Sequence, residues 1–162
     1  MKKLVALVIL TLAFSLFITS CKDDDNTTGP SEVKLGEMTA TVGGADFKAG
    51  NAYYYNTVNQ ISGGQQVGGL TNIADVNTIS IQLLQAGGEP MVKSYSDICY
   101  YQETRGMAPN NTVKQWNTTN GTCEITEVTD EYVKGTFSFT GTNEDDNNST
   151  KSVSGKFYTP RQ

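Results

Sequence analysis

Asn77-Thr78-Ile79-Ser80-Ile81-Gln82-Leu83-Leu84-Gln85 decides the fold class. Ile79, Ile81 and Leu83 point one way, while Thr78, Ser80 and Gln82 point the other. A period of two is that of a half-buried β-strand. Gly87-Gly88-Glu89-Pro90 then ends the run.

The same alternation recurs toward the C-terminus. Val133, Gly135, Phe137 and Phe139 share one face, with Lys134, Thr136, Ser138 and Thr140 on the other. Val153, Gly155 and Phe157 form the matching inward set, and the connection over 141–148 is too polar to bury. Toward the N-terminus, Met38, Ala40 and Val42 make a strand that turns at Gly43-Gly44, whose glycines suit the positive φ of a tight hairpin. A second strand through Phe47 and Ala49 is expected to continue into Tyr53-Tyr54-Tyr55. Strands at 58–62 and 66–71 are expected to flank a turn at Gly63-Gly64. Shorter candidates span 98–102, 113–117 and 122–128, with a polar loop over 103–112 and one short helical turn near 94–97. No stretch has sustained helical periodicity. The expectation is all-β: a single antiparallel β-sandwich or barrel of about 8–10 strands.

The chain's other half of meaning lies in its first 35 residues. Met1-Lys2-Lys3 is cationic and residues 4–18 are almost unbroken apolar. About 20 apolar residues are needed to span a bilayer core, so this shorter run reads as a signal peptide. Ile18-Thr19-Ser20-Cys21 resembles the bacterial lipobox, with isoleucine where leucine is usual. The resemblance implies that Cys21 is acylated and becomes the mature N-terminus. Lys22-Asp23-Asp24-Asp25 resembles the export signal of surface lipoproteins of the Bacteroidota; the plainer alternative is that the acids solvate a tether. Residues 1–20 are therefore assigned as the signal peptide, 21–35 as lipidated cysteine and flexible tether, and 36–162 as one all-β domain. The expected address is the outer membrane, lipid-anchored and facing the exterior.

Composition limits the partners. Once Lys2 and Lys3 leave with the leader, ten basic residues face 17 acidic ones, a net charge of −7. Nucleic-acid binding needs clustered Lys and Arg, so it is not expected. The remaining 142 residues are enough for one domain with a core. The opening from Met38-Thr39-Ala40 to Phe47, with Gly135-Thr136-Phe137-Ser138-Phe139 and Ser154-Gly155-Lys156-Phe157, resembles small Bacteroidota lipoproteins of uncharacterised function. That resemblance implies an all-β body behind a lipobox and carries no catalytic residue.

Chemistry finds few candidates. The chain has no histidine, which removes Ser-His-Asp and Cys-His catalysis. Asp46, Asp75, Glu103 and Glu124 leave a two-carboxylate reaction formally open, but their spacing gives no sign of convergence. Glu144-Asp145-Asp146 lacks the alternating ligands of a dedicated calcium loop. No enzyme activity, metal or cofactor is expected. Cys99 and Cys123 are an even pair in an oxidising compartment and are expected to form a disulfide. Closing that 25-residue loop would add roughly 3–4 kcal/mol in the chain-entropy treatment. The aromatic residues are the binding candidates. Tyr53-Tyr54-Tyr55 and Tyr100-Tyr101 must expose some rings, because neighbours on a strand face opposite ways. Trp116 sits among Gln115, Asn117 and Thr118. Trp116, Tyr54, Tyr100 and Tyr101 are therefore the expected ligand contacts, against the alternative that such rings merely cover a barrel mouth. The expected role is a non-enzymatic module binding a glycan, a protein or a small ligand. A structural envelope component is the alternative.

Overall fold

The computed structural model describes residues 32–68, 74–83 and 89–162. The leader, Cys21 and the export residues Lys22, Asp23, Asp24 and Asp25 lie outside the described residues. Nine strands run through the described residues: β1 Glu37–Val42, β2 Ala45–Ala49, β3 Asn51–Tyr55, β4 Gln60–Gln66, β5 Val76–Gln82, β6 Lys93–Arg105, β7 Thr112–Val128, β8 Tyr132–Asn143 and β9 Ser149–Pro160. They form one sheet in the order β2-β1-β9-β8-β7-β6-β5-β4-β3. Every neighbouring pair is antiparallel.

The sheet is nearly closed into a barrel, which settles the choice between barrel and sandwich. Its two ends meet where β3 passes the ends of β1 and β9. Ala52 N–H donates to the Gly36 carbonyl at 2.8 Å, and Gln162 N–H donates to the Tyr54 carbonyl at 2.9 Å. Tyr54 also makes a parallel bridge to Arg161. Gly63 allows the closure from inside: a Cβ there would stand 3.1 Å from both the Ala49 Cβ and the Met38 Sδ. The expected Gly63-Gly64 turn is thus corrected. Both glycines lie within β4, where the absence of a side chain lets β4 pack against β1 and β2.

The inward faces are those the alternation indicates. Ile79 and Ile81 on β5 and Leu83 just after it, Val133, Phe137 and Phe139 on β8, and Val153 and Phe157 on β9 are all buried. Each large apolar side chain fully buried contributes about 1.5–3 kcal/mol. The Gly43-Gly44 turn has φ of 55° and 88°, as expected of a tight hairpin.

Other boundaries differ from the expectation. The second strand breaks at Gly50, and β2 and β3 lie at opposite ends of the sheet order. The short helical turn near 94–97 is strand: Ser94 and Ser96 are exposed while Tyr95 is buried. The stretches 113–117 and 122–128 are one strand, because β7 absorbs polar Thr118, Thr119 and Asn120 in a bulge rather than a turn. Its pairing with β8 slips by one residue between Asn117↔Thr142 and Thr122↔Ser138. Bulges bend a strand and sharpen its twist, which curls the sheet at this point. The polar connection also starts late, since β8 runs on to Asn143 with Gly141 and Asn143 buried.

No disulfide joins Cys99 and Cys123, correcting that expectation. Cys99 pairs with Thr118 while Cys123 pairs with Tyr95, five positions further along β7. At about 3.3 Å per residue, that offset exceeds the roughly 7 Å Cα separation beyond which a bridge needs backbone movement. Both cysteines are buried in the barrel interior.

Candidate functional site

A cleft opens where two hairpins part. Pairing between β7 and β8 stops at Asn117↔Thr142. Beyond it, β7 continues beside β6 to Thr112, while β8 and β9 continue as their own hairpin to Asn143↔Ser149. Between them is a cleft of about 780 Å³, walled by Lys114, Gln115 and Asn117 on one side and by Thr142, Asn143 and Asp146 on the other. At its apex, Gly141 permits a close approach: a Cβ there would meet the Trp116 carbonyl carbon and oxygen at 2.8 Å.

A chain of polar contacts ties the two walls together. Trp116 Nε1 donates to Ser149 Oγ at 3.1 Å, and Ser149 Oγ donates to Asp146 Oδ2 at 3.1 Å. Lys114 Nζ reaches the same Asp146 oxygen at 3.4 Å. Asn143 caps the short 3-10 helix Glu144–Asp146, its Oδ1 accepting from the Asp145 N–H at 3.0 Å. Left-handed Asn147 and Asn148, with φ of 54° and 56°, complete the tip. The buried Asn143 lines the cleft, and its amide nitrogen has no hydrogen-bond partner among the described residues. A buried amide hydrogen without an acceptor costs about 1–3 kcal/mol, so a polar ligand or water at this wall is favoured.

Beneath the cleft, one barrel mouth is plugged. The Lys151 ammonium lies 4.0 Å from the centre of the Trp116 ring and 5.0 Å from that of Tyr101. It pairs with the Glu103 carboxylate, which also accepts from the Tyr101 hydroxyl at 3.1 Å and has Arg105 at 3.6 Å. Burial works to raise the Glu103 pKa, but the hydrogen bond and charge of Lys151, the Tyr101 hydroxyl and Arg105 together outweigh it. The carboxyl is held below its ordinary 4.5. Burial, then the neighbouring Glu103, push the Tyr101 hydroxyl well above its ordinary value. Asp75 accepts from the Gly106 N–H at 2.8 Å, and Asp46 and Glu124 are exposed.

The opposite mouth is plugged by Arg161. Its Nε donates to Asn56 Oδ1 at 3.0 Å, Nη1 to the Thr129 carbonyl at 3.1 Å, and Nη2 to Glu89. The guanidinium lies 5.9 Å from the Tyr54 ring centre. Burial raises the Tyr54 pKa, and its hydroxyl donates to Asn59 Oδ1 at 2.6 Å.

Three of the four expected contact residues are therefore not on the surface. Trp116, Tyr54 and Tyr101 are buried. Strand phase decides this: Tyr54 shares its face with Ala52, and Tyr101 shares its face with Cys99, so both turn inward. Tyr100 is partly exposed and faces outward. It belongs to a cross-strand row that runs Tyr53, Ser62, Ser80, Tyr100, Asn117 and Thr142, and so reaches the cleft. The cleft residues Gln115, Asn143 and Thr142 carry no sequence signal beyond polarity beside Trp116. Comparison with known protein families, curated proteins and solved structures finds no match to this chain.

Proposed function

We propose that the chain is a lipid-anchored, non-enzymatic binding module of the bacterial outer envelope, displayed outside the cell, whose ligand is a glycan held in the cleft between β7 and the β8–β9 tip. The reading of Cys21 as acylated rests on the leader and lipobox-like residues, and that of surface display on Lys22-Asp23-Asp24-Asp25. The observation that carries the binding assignment is the composition of a preformed cleft. Its walls offer the amides of Gln115, Asn117 and Asn143 and the hydroxyls of Thr118, Thr119 and Thr142. Such planar amides and hydroxyls match the paired donor and acceptor character of sugar hydroxyls, and two contacts orient the amides before binding: Gln115 Nε2 donates to Asn117 Oδ1, and Asn143 Oδ1 accepts from the Asp145 N–H. A few placed polar groups set orientation in a binding site, and the outward Tyr100 beside Asn117 supplies an amphipathic ring at the rim.

The test is titration of the mature chain with a panel of soluble bacterial and host oligosaccharides by calorimetry. One class is expected to bind saturably. Asn143→Ala and Gln115→Ala are each expected to weaken it about 5- to 20-fold, the equivalent of about 1–2 kcal/mol for a lost hydrogen bond, with the thermal midpoint of Gln115→Ala unchanged. Full-affinity binding by both variants would remove the cleft from the account. The alternative, a structural envelope component, draws support from two plugged mouths and a filled interior, and it requires that no oligosaccharide bind at all.

A further inference from the structure

The chain enters the barrel at Leu35 and Gly36, where Gly36 N–H donates to the Tyr158 carbonyl at 2.7 Å. This is the rim where β3, β5, β7 and β9 finish and β4, β6 and β8 begin. Large apolar side chains are spread around it in exposed positions: Leu35 is 54% exposed, Val58 49%, Met91 51% and Val92 63%. Val58 sits in the β3–β4 turn, and Met91 and Val92 lead into β6. Exposed Tyr55 and Ile98 continue the patch onto the outer wall, in one cross-strand row with Gln60 and Gln82. The opposite rim exposes fewer large apolar side chains, Met107 and Val113. Six exposed large apolar residues thus gather toward one end of the barrel, where apolar surface favours an interaction partner.

We propose that this rim rests on the lipid surface that holds the N-terminus, with Leu35, Val58, Met91 and Val92 dipping into the headgroup region. The inference rests on the reading that Cys21 is acylated. Ten residues, 22–31, separate Cys21 from the first described residue. Ten residues reach at most about 36 Å, the covalent limit of about 3.6 Å per residue. The rim that receives this tether is therefore the one kept beside the bilayer. A short tether raises the effective concentration of a contact to the millimolar range, so a ring too weakly apolar to bind vesicles alone is occupied once anchored. Charge does not drive the contact. Lys34, Lys93 and Arg161 are outnumbered by Glu32, Glu89, Asp130 and Glu131 at this rim, so neutral lipid suffices. The geometry then turns the cleft and its acidic tip away from the membrane.

Hydrogen exchange read by mass spectrometry tests this. The acylated chain on phosphatidylcholine vesicles is compared with the Cys21→Ala chain free in solution. Peptides covering Leu35, Val58 and Met91 are expected to exchange severalfold more slowly on vesicles, with 106–111 and 144–148 unchanged. Rim peptides that exchange at the solution rate, on a chain that floats with the vesicles, would overturn the proposal. Failure of the natural chain to float would count against acylation alone. In that case the Cys21→Ala chain, held by an N-terminal His tag on nickel-chelating phosphatidylcholine vesicles, still tests the rim. Leu35→Glu, Met91→Glu and Val92→Glu together alter only exposed positions; the triple variant is expected to float and to lose the protection. Retained protection in that variant would also refute the contact.

Discussion

The two mouths of the barrel are closed by the same device in different company. At one, Lys151 lies over Trp116 and Tyr101; at the other, Arg161 lies over Tyr54. Cation–π contacts of this kind are worth about 0.5–2 kcal/mol, so the rings alone do not distinguish the ends. The polar partners do. Arg161 spends its guanidinium on loops that follow β3, β5 and β7, and its backbone bridges Tyr54. It closes the sheet. Lys151 instead neutralises Glu103 inside the mouth, leaving Trp116 free to reach Ser149 and, through it, the cleft wall. One cation completes a fold, and the other supports the floor of a site.

The sharpest way to break this comparison is at Trp116. Trp116→Ala removes the ring beneath Lys151 and the anchor of the Ser149–Asp146 contacts. Large-to-small changes of buried Phe or Trp cost about 3–5 kcal/mol, so the urea midpoint should fall steeply and glycan binding should vanish. Trp116→Phe keeps most of the packing and loses the donor to Ser149. It is expected to cost less stability than Ala and still weaken binding. Equal binding by Trp116→Phe and the natural chain would show that the indole donor does not set the cleft wall.

A smaller loss is expected at the other mouth. Arg161→Met keeps a long apolar stem but strands Asn56 and the Thr129 carbonyl, each a partner in a charge-assisted bond. Hydrogen bonds to charged groups contribute about 1.5–3 kcal/mol, and the Glu89 partner adds little because it is exposed. The expected loss is about 2 kcal/mol in chemical denaturation, with faster hydrogen exchange at Tyr54, Asn56 and Gln162 and unchanged binding at the cleft. Reduced binding in this variant would mean that the two mouths are coupled through the sheet.

How much of this was legible depends on which physical rule each residue obeys. Strand phase was plain wherever apolar and polar residues alternate cleanly, as from Thr78 to Leu83 or from Val133 to Thr140. It was ambiguous among the tyrosines, which are amphipathic enough for either face. There the neighbours hold the answer: Ala52 marks the inward phase for Tyr54, and Asn51 the outward phase for Tyr53. Gly63 was misread because glycine serves both turns and close approaches, and only the packing of Met38 and Ala49 distinguishes them. The cleft was not legible at all. It arises from where the β7–β8 ladder stops, a matter of bulge and register with no local composition of its own. Even so, its position next to Trp116, Gln115 and Asn117 lies within the polar aromatic neighbourhood that the sequence marks out.

The smallest expected effect is that of pH at the Lys151 mouth, and its sign follows from Glu103. The folded-state pKa of this carboxyl lies below its ordinary 4.5. Folding therefore favours the ionised form, and the stability this adds is present above that ordinary value. It is lost as pH falls through the lowered folded value, because the unfolded chain takes up the proton first. Glu103→Gln should consequently flatten the acid limb of the stability profile while costing some stability at pH 7, where Lys151 and Arg105 lose their counterion. Lys151→Met flattens the same limb by another route. Burial is then opposed only by Tyr101 and Arg105, so the folded-state pKa rises toward the ordinary 4.5 and the window in which acid removes stability narrows. Urea midpoints at pH 7, 5, 4 and 3 for the natural chain and both variants separate these outcomes. If all three chains lose stability in parallel between pH 5 and 3, Glu103 does not govern that limb, and the Lys151 mouth is no more sensitive to acid than the one that Arg161 closes.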